Sequence, residues 1–171
     1  LRVDELAYAA AALVPGLVPT RAQVAAESTC AQKDKDGVEV DQGLLLAHVL
    51  GMPAAGRHLC HAMLLPRPES AEHLARLRRE GTLQLPTAEL RREGHAIVLE
   101  ARNPRFLNAE DETTLDDSEI AVDLAIMDEM TQIAVLRGGT VEHPKYAGRR
   151  VFSAGINLTH LYHGAISFLW Y

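Results

Sequence analysis

The chain has 171 residues, 17 of them Lys or Arg and 23 Asp or Glu, for a formal net charge of −6 and a pI near 5.7. That balance argues against a nucleic-acid partner, because neutralising phosphates takes a basic face and no Lys/Arg cluster here is large. No apolar run approaches the ~18 residues of a membrane span, and Cys30 and Cys60 are too few for a disulfide framework, so they read as small core residues of a reduced, cytoplasmic protein.

The first ninety or so residues read as short helices punctuated by Pro and Gly. Val3, Leu6, Ala10 and Leu13 recur at helical spacing before Pro15-Gly16, and Leu44, Leu45, His48 and Val49 do so before Gly51-Met52-Pro53. A third helix is predicted from Pro68, a favoured first-turn position, with Ala71, Leu74 and Leu77 on one face. Gly81 to Arg92 reads as the joint between a helical region, residues 1–91, and an α/β region, residues 92–171.

Ile97-Val98-Leu99 is a continuous apolar strand of the kind buried on both faces of a parallel sheet. Between Glu112 and Met130 the period changes. Ile120, Leu124 and Met127 fall at i, i+4 and i+7, which predicts the helix that covers the sheet. A second strand, Ile133 to Leu136, is stopped by Gly138-Gly139, and the chain then reaches a small-residue turn, Ser153-Ala154-Gly155-Ile156-Asn157, at the start of another helix. Residues at such a turn point free backbone N–H groups outward, which favours an anion or a developing oxyanion.

Some motifs carry no chemistry. Lys33-Asp34-Lys35-Asp36-Gly37 begins like an EF-hand loop, but aligning Gly37 to the loop's glycine puts Gln32 at the first ligand and Gly43 where a bidentate Glu belongs. His58-Leu59-Cys60-His61 lacks a second ligand pair at zinc spacing. Glu110, Asp111, Glu112, Asp116, Asp117 and Glu119 suit a helix N-terminus, where carboxylates complement the dipole. No nucleophile elbow, dinucleotide fingerprint, P-loop or zincin motif is present, so acyl-serine hydrolysis, nicotinamide redox chemistry and phosphoryl transfer lack support.

Two signatures bracket the predicted helix and strand. The first is Arg102-Asn103-Pro104-Arg105-Phe106-Leu107-Asn108-Ala109, and the second is Phe152-Ser153-Ala154-Gly155-Ile156-Asn157-Leu158. In order and separation they resemble the R-x-P-x-x-x-N-A and F-x-A-G-x-D/N-L signatures of the crotonase (enoyl-CoA hydratase/isomerase) superfamily. The likeness runs from about Arg92 to Tyr171. The acidic run Glu110-Asp111-Glu112 and the insertion Val141-Glu142-His143-Pro144-Lys145-Tyr146 resemble one branch of it, dioxygenases of antibiotic biosynthesis that act on aryl-acetyl-CoA thioesters and carry a long helical region ahead of the crotonase part.

The resemblance implies an α/β fold: a helical N-terminal region followed by the first part of a ββα spiral core. It implies an aryl-acetyl-CoA substrate, O2 as co-substrate, no metal or organic cofactor, and a homo-oligomer, trimeric or hexameric. The backbone N–H of Ile156 would bind the thioester oxygen beside a second donor beyond Tyr171. Arg105, His143, Pro144, Lys145, Tyr146, Ala154, Gly155, Asn157 and Leu158 would line the substrate. Glu110, at the edge of an apolar acyl pocket, would accept hydrogen bonds from a polar ring substituent. Arg149 and Arg150, beside Lys145, are expected to meet the CoA phosphates. The chain opens at Leu1 and closes at Trp170-Tyr171 inside an apolar run, so it reads as a piece of a longer protein. An ordinary crotonase (hydratase, isomerase or thioester hydrolase) and a non-catalytic assembly module with a decayed crotonase half remain open at this point.

Overall fold

A computed structural model describes residues 1–170. The fold is α/β, with five helices ahead of a four-stranded sheet. The chain divides into two compact units, one made of residues 1–65 with 158 onward and the other of residues 66–157. That division falls elsewhere than the expected boundary at 91/92.

The first unit holds α1 (Val3–Leu13), α2 (Arg21–Glu27), α3 (Val40–Gly51), α4 (Pro53–Met63) and the short α7 (Leu158–Tyr162). α2 starts where Thr20 and Gln23 cap each other: the Gln23 N–H donates to Thr20 Oγ1 and the Thr20 N–H to Gln23 Oε1. α4 opens on Pro53, whose missing N–H costs nothing in the first turn. In α1 the buried residues are Ala7 and Ala11, while Leu13 is 81% exposed, so the apolar spacing located the helix and missed its buried face. Cys60 is exposed and Cys30 half-buried, and neither sits in the core expected of them.

The second unit is built on α5 (Ser70–Glu80), β1 (Thr82–Gln84), β2 (Ala88–Glu93), β3 (Ala96–Ala101), α6 (Glu112–Met127) and β4 (Ile133–Gly138). The sheet order is β1-β2-β3-β4. β1, β2 and β3 run antiparallel, and β4 returns parallel to β3 after the α6 crossover. Residues 82–93 are thus a hairpin of two sheet strands, 82–84 and 88–93, rather than a joint. Leu83, Leu90 and Leu99 stand opposite one another across β1, β2 and β3, and with Ile97 they pack against Leu74 and Leu77 of α5 and Ile120, Ala121 and Leu124 of α6. Each such side chain contributes about 1.5–3 kcal/mol on burial, which draws α5 into this unit. Ile97, Val98 and Leu99 are all buried, as an interior strand requires.

Polar contacts lock the two helices to the sheet. Asp117 accepts the N–H and hydroxyl of Thr87 at the β1–β2 turn, at 2.6 and 2.8 Å. Asp123 accepts the Arg67 N–H ahead of α5 and the hydroxyl of Ser70, its first residue. Asp128, with no exposed side-chain surface, holds Arg78, Arg92 and Thr131. Among the described residues no helix is long and apolar enough to cross a membrane.

Candidate functional site

β3 ends at Ala101 and the first signature follows it through a 3₁₀ turn, Pro104–Phe106, into two left-handed residues, Leu107 at φ 57° and Asn108 at φ 55°. An Asn tolerates that region, whereas a Leu there costs about 1–2 kcal/mol. The Asn108 side chain holds the strained turn. Only 3% exposed, it accepts the Asn103 N–H at 2.7 Å and donates to Gly139 O at 2.9 Å and Val151 O at 2.7 Å. One amide therefore ties the first signature to the end of β4 and to the entry of the second.

The close approach needs Gly138, where a Cβ would sit 1.7 Å from Val151 O. From there residues 140–150 form a self-closed loop. Thr140 and Arg150 pair as an antiparallel bridge, Val141 N–H donates to Arg149 O, Gly148 N–H to Val141 O and Tyr146 N–H to His143 O. Glu142 N–H donates to Pro104 O, which pins the loop to the first signature.

The turn 153–157 docks on residues 108–111. Glu110 and Ile156 form an isolated parallel bridge, in which Glu110 N–H donates to Gly155 O at 2.9 Å and Asn157 N–H to Glu110 O at 2.8 Å. Gly155 has φ +80°, a conformation that suits glycine. Because its carbonyl faces Glu110 and no peptide bond among the described residues is cis, the Ile156 N–H of the same planar peptide points the opposite way. Among the described residues that N–H has no hydrogen-bond partner.

Side chains reinforce the dock. Asn157, 2% exposed, donates to Asp111 Oδ2 at 2.7 Å. Asp111, fully buried, also takes the Asn103 amide, the Thr113 N–H and the Thr113 hydroxyl, and it caps α6 in a capping box with Thr114. The Ser153 hydroxyl donates to Glu110 Oε1 at 2.8 Å and accepts the Gly155 N–H at 2.9 Å. Asp111, one of the carboxylates that suit a helix N-terminus by sequence, does cap α6, while Asn108 and Ser153 fall within the two signatures with no contacts of their own legible there. The i, i+3 spacing of Asp111 and Thr114 was the available signal for the cap.

The residues expected at a site fall into groups. Glu110, Ala154, Gly155, Ile156 and Asn157 converge on the bridged turn; Leu158, next in the chain, opens α7. Glu110 is exposed rather than set in a buried pocket, and its first partner is Ser153. His143, Pro144, Lys145 and Tyr146 lie together on the loop. His143 Nδ1 accepts the Lys145 N–H, which places the neutral ring's proton on Nε2, and the Lys145 ammonium lies 5.2 Å from the Tyr146 ring centre. Arg105 is exposed, its guanidinium 5.4 Å from the Phe106 ring centre. Arg150 is engaged elsewhere, donating with Arg137 to Glu100. Burial raises the Glu100 pKa and the two guanidinium hydrogen bonds outweigh it, so the carboxylate is held below its ordinary range. No group of three or more His, Cys, Asp or Glu placed to hold a metal ion occurs among the described residues.

No family model matches the chain. Over 167 residues it is 49% identical to (3,5-dihydroxyphenyl)acetyl-CoA 1,2-dioxygenase of Amycolatopsis orientalis, an alignment that covers 97% of this chain and 38% of that protein. The chain thus spans under two fifths of the length of the curated relative it matches.

Proposed function

We propose that this chain supplies the thioester-binding part of a dioxygenase that converts 3,5-dihydroxyphenylacetyl-CoA and O2 into 3,5-dihydroxyphenylglyoxylate and CoA. The observation that carries the reading is the 49% identity, over nearly the whole chain, to a dioxygenase named for that substrate. The outward Ile156 N–H supports its chemistry.

In this reading the Ile156 N–H donates to the thioester oxygen, with a second donor supplied from elsewhere in the full protein. Both act where charge develops, so removal of an α-proton and formation of the enolate become easier. The enolate, conjugated with an electron-rich ring, adds O2 at the α-carbon. The resulting peroxide attacks the thioester carbon and expels CoA thiolate. Cleavage of the O–O bond with loss of the second α-proton leaves the keto acid, so both oxygen atoms enter the product and two protons are released. Neither metal nor organic cofactor takes part, as the resemblance to cofactor-independent dioxygenases implies. Glu110 accepts a ring hydroxyl, while Lys145, Arg149 and Arg105 meet the CoA phosphates. A cytoplasmic homo-oligomer completes the proposal.

The test is turnover of 3,5-dihydroxyphenylacetyl-CoA under ¹⁸O2 by the metal-stripped full-length protein. The reading expects oxygen uptake, one CoA released per O2, and two labelled atoms in the aryl glyoxylate. Release of CoA without oxygen consumption would make the protein a hydrolase and overturn it.

A further inference from the structure

We propose that Ser153 is a positioning residue: it fixes the Glu110 carboxylate to the turn that carries the Ile156 N–H, and so sets discrimination between ring-hydroxylated and unsubstituted aryl-acetyl-CoA thioesters. This rests on the reading above, in which Glu110 meets the ring and Ile156 the thioester.

A serine hydroxyl has one proton and two acceptor lone pairs. Here one lone pair takes the Gly155 N–H at 2.9 Å, and the proton goes to Glu110 Oε1 at 2.8 Å. The direction of this short chain of bonds is therefore fixed, from peptide to hydroxyl to carboxylate, and Oε1 is held as an acceptor. The Glu110 backbone is already immobile, with its N–H spent on Gly155 O and its carbonyl on Asn157 N–H. What the bridge leaves free is the side chain, and Ser153 removes that freedom.

Two consequences bear on a ligand. Among the described residues Oε2 of Glu110 has no hydrogen-bond partner, and the residue is exposed, so the carboxylate offers one oxygen outward with its orientation already set. The other end of the relay is the Gly155 N–H, one peptide ahead of the Ile156 N–H, and the Gly155 carbonyl, which shares the peptide of the Ile156 N–H, is itself held by the Glu110 N–H at 2.9 Å. A ring hydroxyl on Oε2 and a thioester oxygen on Ile156 are thus read by one rigid unit rather than by two independently mobile groups. Rigid spacing favours the ligand that fits both ends. A ring without hydroxyls gains nothing from it.

The experiment uses the full-length protein without oxygen, so that binding is measured apart from turnover. Calorimetry gives Kd for 3,5-dihydroxyphenylacetyl-CoA and for phenylacetyl-CoA with wild type, Ser153→Ala, Ser153→Thr, Glu110→Ala and the double variant Ser153→Ala/Glu110→Ala. Wild type should prefer the hydroxylated thioester. Ser153→Ala should cut that preference about fivefold, the worth of one hydrogen bond, while Ser153→Thr, which keeps the hydroxyl, should retain it. In the Glu110→Ala background Ser153→Ala should change the preference less than about twofold, because its partner is gone. A Ser153→Ala protein with the wild-type preference, or one whose effect persists without Glu110, overturns the role of Ser153 and leaves the functional reading standing. Wild type that binds neither thioester, or binds both equally, overturns the functional reading and this inference with it. The half-buried turn position of Ser153 tolerates Ala, and an unchanged thermal transition checks this.

Discussion

The Asn157 side-chain amide donates to the buried Asp111 carboxylate at 2.7 Å, joining residues that lie 46 positions apart. The same carboxylate caps α6, so the turn beside Ile156 is anchored to a helix terminus. Asp111→Asn keeps the size and loses the charge, and its amide nitrogen would face donors. Asn can still cap a helix, so the cost of Asp111→Asn is the buried donor left unpaired, about 1–3 kcal/mol, and Asp111→Ala adds loss of the cap, about 0.5–2 kcal/mol. Chemical denaturation should therefore find Asp111→Asn destabilised by at least ~1 kcal/mol, with Asp111→Ala worse. A variant as stable as wild type would show that the contact is incidental.

Asn108 carries a heavier load. Its amide satisfies the Asn103 N–H and the Val151 carbonyl, and adds a second donor to Gly139 O, which also accepts the Val151 N–H at 3.3 Å. Asn108→Asp would turn a carboxylate oxygen toward Gly139 O and Val151 O, setting acceptor against acceptor. We expect Asn108→Asp to cost more stability than Asn108→Ala, and each to cost at least about 1–3 kcal/mol. Equal stabilities would mean that water replaces the amide.

Asp128 sets the acid limit of the sheet unit. Burial pushes its pKa up, but hydrogen bonds from Thr131, Arg92 and Arg78 outweigh that and hold the carboxyl at about 2, below the ordinary 3.8. A folded pKa below the unfolded one means that the stabilisation is present above pH ~4 and is lost as pH falls toward ~2. It amounts to about 2 kcal/mol. Denaturation at pH 5 and pH 2 should therefore show a smaller acid loss in Asp128→Asn than in wild type, and an identical loss in both would remove Asp128 as its source.

The approach loop gives a test of CoA recognition. Arg150, though exposed, is committed to Glu100, whereas Lys145 and Arg149 are exposed and form no ion pair among the described residues. Lys145→Ala with Arg149→Ala should weaken CoA binding in the full-length protein, with the loss shrinking as salt rises. Arg150→Ala should act chiefly on stability. Calorimetry at low and high salt separates the two, and a larger loss of CoA affinity from Arg150→Ala would reverse the assignment.

How far the sequence alone reached follows from where its signals are local. α6 and the interior strand β3 announce themselves through apolar period and continuous apolarity, and the small residues Ala154 and Gly155 mark a turn that needs a left-handed glycine. β1 and β2 stayed hidden because β1 is only three residues long and β2 carries Arg91, Arg92 and Glu93 on a strand whose buried positions are only Ala88 and Leu90. The partners of Asn108, Ser153 and Asp111 come from distant parts of the chain. No local pattern encodes them. Nothing local to Arg150 marks it as the ion-pair partner of Glu100, 50 residues earlier in the chain.

The central claim is that the Ile156 N–H, turned outward by the bridge to Glu110, stabilises a thioester enolate. Its most direct measurement is exchange of the α-protons of 3,5-dihydroxyphenylacetyl-CoA with deuterium in oxygen-free D2O, catalysed by the full-length protein. The decisive variant replaces the Ile156 N–H by an ester oxygen and leaves the side chain intact. Ile156→Val should exchange near the wild-type rate, whereas the ester variant, still folded, should fall about 10²- to 10³-fold, as expected for loss of one oxyanion donor. Exchange by the ester variant at the wild-type rate would contradict the account.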